Sequence, residues 1–195
     1  MSDHQNRCAW VTNDPVYIAY HDNEWGIPIY DDQRLFEFLI LEGAQAGLSW
    51  ITILKKRDYY RACFDDFNPD KIANYKQDKI DLLLNNPNII RNRLKIVSAV
   101  INARAYLNIV EEWSSFSDYI WHFVNRKPIQ NHWPSFKEVP SQTLLSDTIS
   151  KDLKKRGFKF VGSKICYAYM QAVGMVNDHT LDCYCYHKNS LNILF

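Results

Sequence analysis

The chain has 195 residues, 47% hydrophobic and 23% charged, which excludes general disorder and suits one domain with a sizeable core and no need of disulfide staples. Six glycines and seven prolines exclude collagen-like and low-complexity chains. Lys and Arg number 23 against 22 Asp and Glu, so the net charge of +1 excludes a global basic field while leaving room for a local basic patch.

Residues 1–7 are polar and lack the apolar stretch of a secretory leader. Asp31 or Asp32 caps a helix carrying Leu35, Phe36, Leu39 and Ile40 on one face, and Gly47 ends it. Ser49 opens a second, with Trp50, Ile53, Leu54 and Tyr60. Asn68-Pro69 pairs an N-cap with a first-turn proline and starts a short helix through Ile72. Asp78 caps another, with Ile80, Leu83 and Leu84. Asn85-Asn86-Pro87-Asn88 is a tight turn, and the long helix after it puts Leu94, Val97, Ile101 and Ala105 on its inner face. Ser117 precedes a helix over 118–124. Residues 125–140, with Pro128, Pro134 and Pro140, read as an irregular loop. Helices run from Ser146 to Gly157 and from Ser163 to Gly174. No segment alternates as a strand does, although 158–161 could be extended. The class is all-α, an orthogonal array of short helices. No run nears the roughly 18 apolar residues of a membrane span, so a cytoplasmic protein without a membrane partner is expected.

Five cysteines in a reducing compartment point to metal ligation or burial before disulfides. Cys8 and His21 lie near one end, and His179 and Cys183 near the other. The second pair, at i and i+4, shares one face of a helical turn. Together the four would make a closed Cys₂His₂ set of the tetrahedral kind zinc favours, structural because it leaves no open position. The alternative is separate core thiols and surface imidazoles, with Cys185 and His187 as competing ligands. Cys63 and Cys166 fall within helical patterns and are expected in the core.

Glu42 shares a helical stripe with Leu35, Leu39 and Ala46. A carboxylate there is costly unless it is paired or lines a pocket. Gly43 and Gly47 beside it allow close approach by a backbone or a flat ligand, and Trp50 follows within two turns. An acceptor next to an aromatic face suits a planar, electron-poor ring; the alternative is a carboxylate bonded to backbone at a helix end. Trp10, Tyr17, Tyr20 and Trp25 either stack on such a ligand or pack in the core. Arg91, Arg93 and Lys95 crowd the start of the long helix, where backbone N–H groups can hold phosphate. Lys151, Lys154, Lys155, Arg156, Lys159 and Lys164 form a second basic cluster around Gly157. Either cluster could be only a solvated face.

These segments together resemble the bacterial 3-methyladenine DNA glycosylase I family. The resemblance rests on Cys8-Ala9-Trp10-Val11, on Asp14-Pro15 and on the run from Tyr17-Ile18-Ala19-Tyr20-His21 through Asp22-Asn23-Glu24-Trp25-Gly26. It continues through Leu41-Glu42-Gly43-Ala44-Gln45-Ala46-Gly47-Leu48-Ser49-Trp50-Ile51-Thr52, Lys55-Lys56-Arg57 and Asn102-Ala103-Arg104-Ala105-Tyr106. It ends with Lys154-Lys155-Arg156-Gly157-Phe158-Lys159-Phe160-Val161-Gly162 and Asn177-Asp178-His179, and so covers nearly the whole chain.

The resemblance implies a helix–hairpin–helix DNA glycosylase fold, a single two-lobed unit over 1–195 with its hairpin at about 80–100. It implies structural Zn²⁺ on Cys8, His21, His179 and Cys183, tying 8–21 to 179–183. Glu42 becomes the base-recognising carboxylate, Trp50 the stacking ring and Tyr20 a pocket tyrosine, with Tyr17 and Trp10 as further substrate contacts. Arg91, Arg93 and Lys95 become DNA-backbone contacts. The implied partners are double-stranded alkylated DNA and the 3-methyladenine base, met by a monomer at the nucleoid. Two positions depart from the family: Asn88 and Leu94 stand where it carries glycine. Asn is the next best residue for a left-handed turn, so the turn is expected to survive.

N3-methylation makes adenine a cationic leaving group, so the implied enzyme needs to extrude the nucleotide, hold the base and admit water to C1′ more than it needs a strong acid. No counterpart of a catalytic lysine is evident, so hydrolysis without strand cleavage is expected. Two rivals remain. A non-enzymatic zinc-stapled binding module leaves Glu42 beside Trp50 unexplained, and a zinc hydrolase requires an open metal.

Overall fold

A computed structural model describes residues 5–191; residues 1–4 and 192–195, the two ends of the unit expected over 1–195, lie outside the described residues. The described chain is mostly helical. Its one sheet is a parallel pairing of two residues with two, β1 (Ile129–Gln130) with β2 (Val176–Asn177).

Helix α2 (Asp32–Gln45) is the axis of the core. Asp31 caps it, accepting from Arg34 N at 2.8 Å. Residues Leu35 through Ala44 are all buried, the pattern of a helix packed on every side. It stops at Gln45, two residues before the left-handed Gly47 (φ +79°). Around it pack α7 (Arg93–Trp113), α8 (Phe116–His122) and α10 (Ser163–Ala172). Phe36, Tyr106, Phe116 and Phe158 fill the space between in tilted aromatic contacts.

Several expected boundaries shift. The helix expected from Ser49 through Tyr60 is two, α3 (Trp50–Leu54) and α4 (Arg57–Cys63), because the chain turns at Lys55 and Lys56. After it, α5 (Pro69–Ala73) starts at Asn68-Pro69 as expected, with Asn68 accepting from Lys71 N at 3.0 Å. Helix α6 (Gln77–Asn85) starts after Lys76, so Asp78 sits in its first turn instead of capping it. The caps of α8 and α9 (Leu144–Lys155) are Ser115 and Thr143; Ser146 instead completes a capping box with Thr143. Residues 125–140 are less irregular than expected, holding β1 and a short 3₁₀ turn at Phe136–Glu138. Residues 158–161 form no strand.

The inner face expected for α7 is corrected at three of its four residues; Ala105 is buried as expected. Leu94 is 72% exposed, and Val97 and Ile101 are half-buried. The packed stripe runs through Ile96, Ala99, Val100, Ala103, Tyr106 and Ile109, where two alanines let α5 and α2 approach closely. Asn88 does not take a left-handed conformation; the turn after α6 is held instead by the Asn86 side chain, which accepts from Asn88 N at 2.9 Å. Cys166 is buried as expected, but Cys63 is only half-buried.

Two helices have no counterpart in the helical pattern: α1 (Pro15–Asn23), capped by Asp14, and α11 (Cys185–Leu191). Gly174 makes a backbone approach that only glycine permits. Its φ is +71°, and an added Cβ would lie 2.3 Å from the Ile27 carbonyl carbon. That contact seats the segment after α1 against the end of α10, and the two together build the site.

Candidate active site and metal centre

A cavity of about 200 Å³ opens between α2 and α10. Helix α2 contributes Glu42 and Gln45 and α10 contributes Ala168 and Gln171, each pair three residues apart on one helical face. The remaining wall is aromatic: Trp10, Tyr17, Tyr20 and Trp25 from the α1 region, Trp50 from α3, and Phe136. The rings touch one another, with centroids 4.9 Å apart for Trp10–Tyr17 and 5.5 Å for Tyr20–Trp50. All five residues expected at a substrate site therefore line one cavity.

Glu42 is 3% exposed, and its Oε2 has no hydrogen-bond partner. The indole N–H groups of Trp10 and Trp50 are likewise buried and unpartnered. Three orphaned polar atoms around one cavity are the mark of a ligand that completes them. Burial pushes the Glu42 carboxyl up to about 8, so the folded protein holds it mainly neutral at pH 7. Burial, and then the proximity of Glu42, raises the Tyr17 and Tyr20 hydroxyls. The cavity is thus π-lined, with one orphaned carboxyl oxygen beside two orphaned indole donors, and none of its lining residues is a cation. Those properties favour a flat cation that carries its own N–H donors.

The four residues expected to bind metal converge from both ends of the chain. Cys8, His21, His179 and Cys183 are all at most 2% exposed, and their donor atoms lie within 4.8 Å of one another. Cys183 Sγ is 3.4 Å from both His21 Nε2 and His179 Nδ1, and Cys8 Sγ is 3.5 Å from His179 Nδ1. A tetrahedron with zinc bond lengths has S···N edges of about 3.6 Å, so the donor set fits the ion. Each imidazole's second nitrogen faces an acceptor: His21 Nδ1 lies 2.7 Å from Asp22 Oδ1 and His179 Nε2 lies 3.2 Å from the Trp25 carbonyl. That outer ring is what orients ligating histidines. The i, i+4 pair at 179–183 lies on a turn, not on the helix its spacing suggested, and Cys183 N donates to Thr180 O at 2.8 Å. Of the competitors, Cys185 groups with His21 and Asp22, sharing His21 with the first set, and His187 is exposed.

The expected DNA-backbone residues do not act alike. Arg91 is exposed. Arg93 is exposed and bonded to Gln77 Oε1 at 3.0 Å, with Asp81 at 3.5 Å. Lys95 is turned inward: its Nζ donates to the Ala44 and Ala46 carbonyls at 2.7 and 2.6 Å. It caps the end of α2, and the expectation that it meets phosphate is corrected by those two bonds. In the second basic cluster, Arg156 is held by Glu112 at 2.6 Å and Asp152 at 2.8 Å, whereas Lys159 and Lys164 are exposed. Lys164 borders a shallow cleft with Glu42, Gly47 and Leu48 at the side of the cavity.

Sequence reasoning missed Gln45, Gln171 and Phe136 in the cavity wall. The spacing of Gln45 from Glu42 was a usable signal, whereas nothing local marked the other two. It also missed Asp178 as a buried hub, although that residue stands beside His179.

A profile of the Methyladenine glycosylase family matches residues 10–187. DNA-3-methyladenine glycosylase 1 of Escherichia coli K12 is 53% identical over 183 residues, covering 94% of this chain and 98% of that protein. A crystal structure of a 3-methyladenine DNA glycosylase I, 53% identical, superposes with a TM-score of 0.90 over 92% of this chain and 99% of that one. The Staphylococcus aureus enzyme, solved to show how 3-methyladenine is recognised, is 41% identical with a TM-score of 0.90, covering 92% of this chain and 96% of that one.

Proposed function

The chain belongs to the methyladenine glycosylase family, and from that membership and the geometry of its cavity we propose that it excises 3-methyladenine from alkylated DNA. The observation that carries the reading is Glu42, a buried carboxylate without a partner, set among the faces of Trp10, Tyr20 and Trp50. The lesion brings what the site lacks: a positive charge, a flat ring and an amino group. Glu42 gives up its proton as the cation enters, and the resulting ion pair forms away from water, where it is strongest. Trp50 and Tyr20 offer π faces to the same charge. A neutral adenine gains neither advantage, and its pairing in the duplex resists extrusion.

In the reaction, the bond between N9 and C1′ breaks and its electron pair moves to the purine, cancelling the positive charge. Water bonds to C1′ and loses a proton, leaving an abasic site and the free base. The cavity offers no lysine among its lining residues, so hydrolysis by water without a Schiff base is the expected course.

Zinc fits the cluster at Cys8, His21, His179 and Cys183, and its role there is structural, since four buried protein donors fill a tetrahedral shell. The pair α6–α7 is the helix–hairpin–helix element of the reading, with Arg91 and Arg93 at its exposed start. Lys159 and Lys164 extend the basic edge towards the cavity. Double-stranded DNA laid across that edge presents an extruded base to Glu42.

The decisive experiment incubates the protein with methylated duplex DNA and resolves the released bases by chromatography. Free 3-methyladenine is expected, with 7-methylguanine left in the DNA and no borohydride-trapped protein–DNA adduct. Folded protein that releases no 3-methyladenine overturns the reading.

A further inference from the structure

Helix α10 contributes Ala168 and Gln171 to the cavity wall, and its polar group there is Gln171. Behind it lies Asp178, which is 0% exposed and makes no ion pair among the described residues. Its carboxylate is stabilised by four donors. Asn131 Nδ2 and Trp133 Nε1 reach Oδ1 at 2.6 and 2.8 Å, and the Tyr167 hydroxyl and Gln171 Nε2 each reach Oδ2 at 2.7 Å. A carboxylate has about four lone-pair directions, and here each is met by a donor.

This arrangement decides the orientation of one amide. Asp178 can only accept, so Gln171 must turn its NH₂ towards it and leave Oε1 on the side away from Asp178. Gln171 accepts no hydrogen bond through Oε1 within the described residues, and its side chain lines the cavity. Gln45 lines the same cavity, but its amide is bonded to nothing there and is free to present either end. Gln171 is therefore the cavity's one amide with a fixed polarity among the described residues.

We propose that Gln171 is a specificity-determining residue, its Oε1 held by Asp178 as a permanent acceptor that favours purines with an amino group and disfavours those with a carbonyl oxygen at the same place. Asp178 is a positioning residue that acts through Gln171. The inference rests on the 3-methyladenine reading and deepens it. Glu42 selects charge, which methylated adenine and methylated guanine share. An oriented neutral acceptor selects the 6-amino group, which adenine carries where guanine carries O6. A guanine O6 set against an acceptor leaves both oxygens desolvated and unpaired, and a site of that kind discriminates strongly.

The test measures binding of free 3-methyladenine and 3-methylguanine through the fluorescence of the cavity tryptophans, in the wild type, Gln171→Met and Asp178→Asn. Gln171→Met keeps the length of the side chain and removes the amide. It is expected to lower the preference for 3-methyladenine over 3-methylguanine about tenfold, the effect of losing one well-placed hydrogen bond. In Asp178→Asn the introduced NH₂ needs an acceptor. Gln171 turns over to supply it and offers its own NH₂ to the cavity, so the preference falls further than in Gln171→Met. A loss of packing alone would weaken both bases in parallel, and that result, or an unchanged preference in folded Gln171→Met, overturns the proposal. Should Asp178→Asn fail to fold, Gln171→Met decides alone. Wild-type protein that binds neither base and releases no 3-methyladenine overturns the glycosylase reading itself, an outcome distinct from a variant that leaves the preference intact.

Discussion

At the scale of single residues, Glu42 is a carboxyl whose buried environment departs far from its unfolded one. Its folded-state value of about 8 exceeds the ordinary carboxylate range, so the folded chain keeps a proton that the unfolded chain has released. The carboxyl therefore destabilises the fold as pH rises through the range between about 4.5 and 8. Glu42→Gln removes that penalty. Urea denaturation at pH 8 is expected to show the variant more stable than wild type by up to a few kcal/mol, with the difference vanishing near pH 4. The same substitution is expected to cost at least tenfold in the rate of 3-methyladenine release from methylated duplex DNA, because a neutral amide cannot pair with the cationic lesion. Single-turnover excision by wild type and Glu42→Gln reads this directly. Equal rates in the two would count against Glu42 as the ionising partner.

At the scale of elements, the α2 terminus and the start of α7 are tied by Lys95. The two carbonyls it caps, those of Ala44 and Ala46, flank Gln45 in the last turn after Glu42. Lys95→Met is expected to lower stability by about 1.5–3 kcal/mol, the worth of hydrogen bonds from a charged donor, and a thermal melt reads it. It is expected to leave the salt dependence of DNA binding unchanged, since the ammonium faces carbonyls and not phosphates. Arg91→Ala is expected to do the reverse, with an unchanged melting temperature and a slope of log affinity against log salt reduced by about one. A reduced slope in Lys95→Met would return that residue to the DNA surface.

Most helices, though not α1 and α11, were legible at this scale because their signals are local. Asn68-Pro69, Asp31 and the stripe of α2 lie within a few residues of what they control. The inner face of α7 was not legible. That helix carries two apolar stripes, and which one is buried depends on partners far away in the chain. Lys95 was misread for the same reason, since a lysine near a helix start can serve phosphate or carbonyl equally well until its neighbours are known.

At the scale of the whole molecule, the Cys₂His₂ cluster joins ends of the chain that lie more than 150 residues apart, and the Gly174–Ile27 approach seats the α1 region on α10. Zinc held there, as proposed, would bind only the native arrangement and so stabilise it. Cys8→Ser, or prolonged chelation, is expected to lower the melting temperature by many degrees and to lose about one equivalent of zinc, with activity falling only as the protein unfolds. Loss of activity without loss of stability would instead favour a catalytic metal. Gly174→Ala meets the Ile27 backbone at 2.3 Å and is expected to destabilise by more than about 2 kcal/mol in denaturant titration.

The inventory of the site could be read from residue types and spacing: a carboxylate on an apolar stripe, rings within reach, and two Cys–His pairs at opposite ends. Each is a local pattern with a local physical cost, and a misplaced charge or an unpaired thiol signals itself. The roles of Gln171 and Asp178 could not be read that way. They depend on four donors arriving from 131, 133, 167 and 171 around one buried carboxylate, and on which end of an amide that carboxylate allows to face the cavity. Burial and orientation are set by contacts between distant segments, and such contacts exist only once the chain has folded.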